Sequence, residues 1–305
     1  MSIRSFEDLV CEVANKNSNH RTVVVAAQDE STLEAIVQAQ RDHLMQAILI
    51  GNPEQMQTIL SGMQVEPGTF EVVPAFTREE ALGQAIRMIL DGQADILMRG
   101  RIEATEMAQA VAREKALLEP GGMISLMGLY RVNSYHKMLA ISDIGLNPEP
   151  DLNAKKQILQ NGVQALHMLG IERPKVAVLS ALEKENASVK ATVDGKLLKQ
   201  MNLNGEFPDC EVEGPLSFDL SISKEAAVLK NCSSAVAGEA DLLLVPDSIC
   251  GNVLTKCMAE FALAQTAEIA IGAKIPIVLT SRVAKAADKY YSIALAAFVA
   301  QRTHP

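Results

Sequence analysis

Short runs of β-branched and aliphatic residues recur along this chain, each followed by a longer stretch with apolar residues at helical spacing. The runs are residues 22–27, 47–50, 70–73, 95–98 and 124–129; the helical pattern falls at 31–44, 53–60, 78–90 and 103–115. Parallel strands cannot be joined by a tight hairpin. They need a crossover, usually a helix, and are buried on both faces. The alternation therefore predicts an α/β fold made of parallel βαβ units.

The rhythm breaks at Asn147-Pro-Glu-Pro-Asp151. Asp151 caps a helix over 152–169 that Gly170 ends. Strands at 175–180, 241–245 and 275–280 then renew the alternation, which places a domain boundary near Asn147. With 305 residues, 48% of them hydrophobic, the chain has the length and core material for two lobes. The final helix, 284–300, is apolar at Ala287, Tyr291, Ala294, Leu295 and Phe298 and could dock on either lobe.

Charge and composition exclude several function classes. Against 28 Lys+Arg stand 37 Asp+Glu, a net charge of −9, which repels a nucleic-acid backbone. With no Trp and 4% aromatic residues there is no stacking platform for single strands. Arg4, Glu7 and Asp8 interrupt the amino-terminal segment, so no signal peptide is expected. Nor does any apolar run reach the ~18 residues of a membrane span. Cys11, Cys210, Cys232, Cys250 and Cys257 are odd in number and form no Cys-x-x-Cys pair, which predicts reduced thiols and a cytoplasmic protein. His20, His43, His136, His167 and His304 lack metal-ligand spacing, so no metal site is expected. Nucleophile-elbow, dinucleotide and Walker-type glycine motifs are absent. Asp29-Glu30 and Arg78-Glu79-Glu80 read as solvated helix starts.

Two strand ends carry candidate chemistry. The strand at 275–280 ends on Thr280-Ser281-Arg282, and carboxyl ends of parallel strands form the ligand crevice of open α/β sheets. Two hydroxyls and a guanidinium there can hold a tetrahedral anion. Asp288 lies six positions after Arg282, about 600° of continuous helix. The two can therefore converge only if Arg282 is in the loop and Asp288 in the first turns of the following helix. A surface ion pair at a helix start is the alternative. Met98-Arg99-Gly100-Arg101, with Thr105 just beyond, also follows a strand and fits either a phosphate site or two exposed arginines in a loop. Gly251-Asn252 would permit close approach to a ligand or form a plain turn.

Eight segments in order give a family pattern. They are Ala94-Asp-Ile-Leu-Met-Arg-Gly100, Ser142-Asp143, Ala181-Leu-Glu-Lys-Glu-Asn186, Gly214-Pro-Leu-Ser-Phe-Asp219, Val236-Ala-Gly-Glu-Ala-Asp241, Val245-Pro-Asp-Ser-Ile-Cys-Gly-Asn252, Pro276-Ile-Val-Leu-Thr-Ser-Arg282 and Asp288. Together they resemble the phosphate acetyl/butyryltransferase family, on its butyryltransferase side, from about residue 47 to 295. The resemblance implies a two-domain fold like that of isocitrate and isopropylmalate dehydrogenases, with an interdomain site and a carboxy-terminal helix that returns to the first domain. The domains expected on that basis are 1–147 with 283–305, and 148–282.

The activity implied is transfer of a short, butyryl-like acyl group between CoA and inorganic phosphate in a ternary complex, with CoA as substrate and no cofactor or metal. A homodimer is the usual assembly of the fold. The family's Ser-Arg pair and later Asp map onto Ser281, Arg282 and Asp288. Arg99, Arg101, Thr105, Ser125, Gly251, Asn252 and Thr280 are the substrate-binding candidates. Arg282, with Arg99 or Arg101, would hold the phosphate; Asp288 would take the CoA thiol proton in the reverse direction; Ser281 would donate to the tetrahedral intermediate or the sulfur. Where family butyryltransferases have Ser-His and a strand-end Lys, this chain has Ser125-Leu126 and Arg99. A non-catalytic acyl-CoA-binding paralogue and a metal- and NAD-dependent dehydrogenase of similar fold are the alternatives.

Overall fold

The computed structural model of the chain describes residues 3–16, 19–119 and 121–303. Its elements begin with α1 (Phe6–Asn15), β1 (Arg21–Val25), α2 (Glu30–Arg41), β2 (Gln46–Gly51), α3 (Pro53–Gly62), β3 (Glu71–Pro74), α4 (Arg78–Leu90), β4 (Ile96–Arg99) and α5 (Ala104–Arg113). There follow β5 (Ser125–Arg131), β6 (Leu139–Ser142), α6 (Leu152–Met168), β7 (Lys175–Leu179), α7 (Lys190–Leu203), β8 (Glu211–Leu216), α8 (Phe218–Ile222) and α9 (Lys224–Leu229). Last come β9 (Leu242–Leu244), α10 (Ser248–Glu260), β10 (Gln265–Ile271), β11 (Ile277–Val278) and α11 (Ala286–Thr303).

Two compact units form. The first joins Ser5–Ile124 to Thr266–Pro305; the second joins Met1–Arg4 to Ser125–Gln265. The crossings fall at Ser125 and Thr266 rather than at the expected Asn147 and Val283. Antiparallel pairing, which the parallel reading did not anticipate, moves them. β5 pairs with β6, Met127 opposite Ser142, and so belongs with the second unit. β10 pairs with β11, Ile269 opposite Val278, and stays with the first.

In the first unit the strands lie in the order β3-β2-β1-β4-β11-β10. The first five are parallel, with Val24 opposite both Leu49 and Met98, and Ile277 opposite Leu97. Val23, Val24, Leu49, Ile50, Ile96, Leu97 and Met98 are fully buried. Each contributes about 1.5–3 kcal/mol by leaving water. Helix α11 packs on α2 and α1, which settles the docking of the carboxy-terminal helix onto the first unit. Phe6 stacks on Tyr291 with ring centroids 4.8 Å apart, and Ser5 and Asp8 cap α1 reciprocally.

The second unit orders its strands β5-β6-β9-β7-β8, parallel from β6 onward. Between α6 and α7 the buried Lys155 ammonium meets Asp194 at 2.7 Å, and Lys190 reaches the same carboxylate oxygen at 2.7 Å.

Candidate active site

In the first unit β1, β4 and β11 are adjacent and parallel, so their carboxyl ends emerge side by side. The segments leaving them, with the start of α4, line a pocket of about 180 Å³. Four arginines face it: Arg78, Arg99, Arg101 and Arg282. Thr280 and Ser281 add hydroxyls, and Asp29 and Lys289 complete the polar wall. This is the crevice that parallel strand ends are expected to form.

Gly100 makes the arginine pair possible. A Cβ there would lie 2.8 Å from the carbonyl oxygen of Val25 and collide with that of Ala26. Gly100 N donates to Val25 O and Arg101 N to Ala26 O, both at 2.8 Å, so the end of β4 lies directly on the end of β1. Arg99, the last residue of β4, is 8% exposed, whereas Arg101 projects into solvent. Burial lowers the Arg99 pKa; Glu103 opposes this and Arg282 reinforces it. Arg282 is exposed and pairs with Glu103 at 2.8 Å. Ser281 N donates to Glu268 Oε2 at 3.2 Å, tethering the loop after β11 to β10.

Lys289 is buried at the pocket wall. Its Nζ donates to Asp29 Oδ2 at 2.8 Å, Ser31 Oγ at 2.7 Å and Thr32 Oγ1 at 2.9 Å, joining the first turns of α11 and α2. Asp29 also caps α2 by accepting from Thr32 N. Burial by itself would raise the Asp29 carboxyl, but the hydrogen bonds from Lys289 and Thr32 hold it at about 2.

Asp288 precedes Lys289 and behaves oppositely. Arg282 lies in the loop and Asp288 in the first turn of α11, the placement that convergence requires. The Asp288 carboxylate accepts from Thr266 N at 3.1 Å at the start of β10, while Lys289 takes the place on the pocket wall. Burial pushes the Asp288 carboxyl up, against the lowering effect of its bonds to Thr266.

The remaining candidates are distributed elsewhere. Thr105, second residue of α5, is exposed and does not line the pocket. Ser125 is fully buried in the second unit, its Oγ accepting from Asn161 Nδ2 at 3.1 Å. Leu126, beside it, is also buried, and its N donates to Asp143 Oδ2 at 3.2 Å. Gly251 and Asn252 require correction. They lie in the first turns of α10, not in a turn, and a Cβ on Gly251 would come 2.6 Å from Asp143 O. Gly251 is needed because its own chain presses on it. Asn252 is exposed on the helix surface.

Asp29, Arg78 and Lys289 were not among the sequence candidates. Asp29 and Arg78 read from sequence as solvated helix starts, yet each begins or caps a helix that follows a parallel strand, the same position that points to Arg282. Among the described residues, no group of three or more His, Cys, Asp or Glu could hold a metal ion, and no helix is long and apolar enough to cross a membrane. His304 lies outside the described residues.

Fold and pocket together define an α/β protein that gathers cations at its parallel strand ends. Residues 68–297 match the family described as phosphate acetyl/butaryl transferase, and the chain belongs to that family. It is 33% identical over 298 residues to the phosphate butyryltransferase of Clostridium acetobutylicum, covering 98% of this chain and 99% of that one. Identity is 36% over 283 residues with the probable phosphate butyryltransferase of Bacillus subtilis, covering 93% and 94%. With the phosphate acetyltransferase of Thermotoga maritima it is 32% over 295 residues, covering 97% and 100%. A branched-chain phosphotransacylase from Enterococcus faecalis V583 superposes with a TM-score of 0.81 at 25% identity, covering 93% of this chain and 99% of that one. A phosphotransacetylase from Streptococcus pyogenes has the same fold, with a TM-score of 0.78 at 20% identity, covering 98% and 99%.

Proposed function

We propose that this protein transfers a short acyl group between CoA and inorganic phosphate. The observation that carries the reading is the convergence of Arg78, Arg99, Arg101, Arg282 and Lys289 on one small pocket in a member of this family. A phosphate dianion matches that charge, and planar guanidinium forks suit its oxygens.

In the forward direction phosphate oxygen attacks the thioester carbonyl; a C–O bond forms, the C–S bond breaks, and the thiolate takes a proton. Arg282 and Arg99 hold the phosphate in line, with Arg101 at the mouth and Thr280 and Ser281 donating hydroxyl hydrogens. In reverse, Asp288 accepts the CoA thiol proton. A carboxyl pushed up by burial is a better base for that task than an unperturbed one. No resident cofactor, metal or covalent acyl-enzyme is invoked. Thr105 and Ser125 do not line this pocket and, like Gly251 and Asn252, take no step in this mechanism.

The same reading includes the fold type of isocitrate and isopropylmalate dehydrogenases, a butyryl-like acyl group, a cytoplasmic location and a homodimer. An exposed row on α10 and its C-cap supports self-association: Ile249 is 72% exposed, Val253 57% and, one turn past Cys257, the capping Phe261 87%. Residues four apart share a helix face, so a second copy can bury the row.

The test is thiol release from a panel of acyl-CoAs with and without phosphate. Phosphate-dependent release of CoA with equimolar acyl phosphate is expected. Acyl-CoA binding without release would make the protein a non-catalytic paralogue, and release independent of phosphate would make it a hydrolase.

A further inference from the structure

The anion pocket is too small for the whole of CoA. At about 180 Å³ it takes a phosphate or a small acyl phosphate, below the roughly 300–1,000 Å³ of pockets that hold drug-sized ligands. On the acyl-transfer reading, the nucleotide end of CoA must then lie on the surface outside it.

Four large apolar side chains of the first unit are exposed among the described residues: Val72, Phe76, Leu90 and Val283. Phe76 alone is aromatic, and it is 74% exposed. It stands two residues before Arg78, which faces the pocket, so the two Cα atoms are within about 7 Å. Its backbone is fixed: Phe76 N donates to Glu80 Oε2 at 2.8 Å, and Thr77 caps α4 by accepting from Glu80 N at 3.1 Å. The ordinary use of an apolar residue before a helix cap is to staple onto the fourth helical residue, here Ala81. Ala81 is 1% exposed while Phe76 stands clear, so Phe76 is not spent on that contact.

We propose that Phe76 is the stacking platform for the adenine of CoA, with Arg78 receiving a phosphate of the same nucleotide. An exposed aromatic ring two residues from an arginine that faces an anion pocket suits a purine nucleotide attached to a group reacting inside. The proposal rests on the acyl-transfer reading, but its test separates the two.

Acyl-CoA and the corresponding acyl-pantetheine, which lacks the nucleotide, are compared on wild type and Phe76→Ala, with CoA and pantetheine affinities titrated alongside. Phe76→Ala is expected to raise KM for acyl-CoA and weaken CoA binding by roughly five- to a hundredfold. The kcat, the KM for phosphate and every acyl-pantetheine value should stay at wild-type levels, and Phe76→Trp should restore CoA affinity. Equal effects on both thioesters, or none on CoA binding, would overturn the platform. Wild type that binds CoA without turnover would overturn the acyl-transfer reading, and the titrations would still decide the platform.

Discussion

Asp29 and Asp288 are two carboxylates at two helix starts, brought near each other through Lys289, and they are held in opposite states. Asp29 accepts from a buried ammonium and two groups of Thr32, and its carboxyl is held at about 2. Among the described residues no buried ammonium bonds to Asp288; burial outweighs the bonds from Thr266 and the charge of Lys285, and its carboxyl rises. A paired carboxylate is fixed in charge and useful for structure. A desolvated one with a raised pKa binds a proton more readily than a free carboxylate and is the better base once ionised. The comparison separates a paired carboxylate, Asp29, from a desolvated one, Asp288.

The largest effect should come from Asp288→Asn, which keeps the shape and removes the proton acceptor. Assayed from acyl phosphate and CoA, kcat should fall about 10²–10⁴-fold with CoA affinity kept. A raised folded pKa means that ionising Asp288 costs stability as pH rises through that pKa, so the variant's Tm at neutral pH should hold or increase. Unchanged kcat would return Asp288 to a structural role and erase the contrast.

Arg282→Ala comes next, with turnover expected to fall about 10²–10³-fold even at saturating phosphate, because one preorganised donor is removed. Arg282→Lys should also be impaired, since a point charge does not reproduce the planar fork. Near wild-type turnover in Arg282→Ala would leave its pairing with Glu103 as no more than a surface contact.

Asp29→Asn sharpens the other side. A carboxyl at about 2 in place of 3.8 contributes about 2 kcal/mol at neutral pH. Because the folded pKa is depressed, that stability is present above the unfolded value and disappears as pH falls from about 4 towards 2. Denaturant melts across that window should show a steep acid loss in wild type and a flatter one in Asp29→Asn. Parallel curves would break the assignment.

The smallest effect concerns the acyl group. Each methylene that fits a pocket is worth about 0.8 kcal/mol, so two should favour butyryl-CoA over acetyl-CoA by roughly tenfold in kcat/KM. Equal or reversed preference would show that the acyl chain meets no apolar surface.

Sequence showed the strands that stand out as apolar runs and missed β6, β8 and β10. Residues 78–90 form α4 with the bounds their pattern predicts, because Thr77 and the acidic first turn mark its start. β6 has only four residues, β8 contains Glu211, Glu213 and Gly214-Pro215, and β10 carries Glu268 at its centre. None of these makes the apolar run that announced β1 or β2. The strand expected over 275–280 shrinks to Ile277–Val278, as Pro276 has no N–H to give the ladder.

Arg99, Arg101 and Arg282 were legible in the site because each follows a strand end. Lys289 and Asp29 were not, since their bond joins residues 260 positions apart and neither lies in a motif. At Gly251 the structure supplies a further reason for glycine: the backbone of Asp143 and Ile144 leaves no room for a Cβ.

The division of the first unit between the two ends of the sequence has a consequence for synthesis. Ser5–Ile124 emerges early, but β11, the Thr280-Ser281-Arg282 loop and Lys289 follow only after the whole of Ser125–Gln265. A growing chain holds Arg99 and Arg101 long before the segment that closes the pocket around them. The second unit can complete its sheet on the ribosome while the first still lacks β10, β11 and α11. The unit that holds the arginine pocket is therefore the last to be finished, and a chain that stops before Thr280 lacks the loop that completes the pocket.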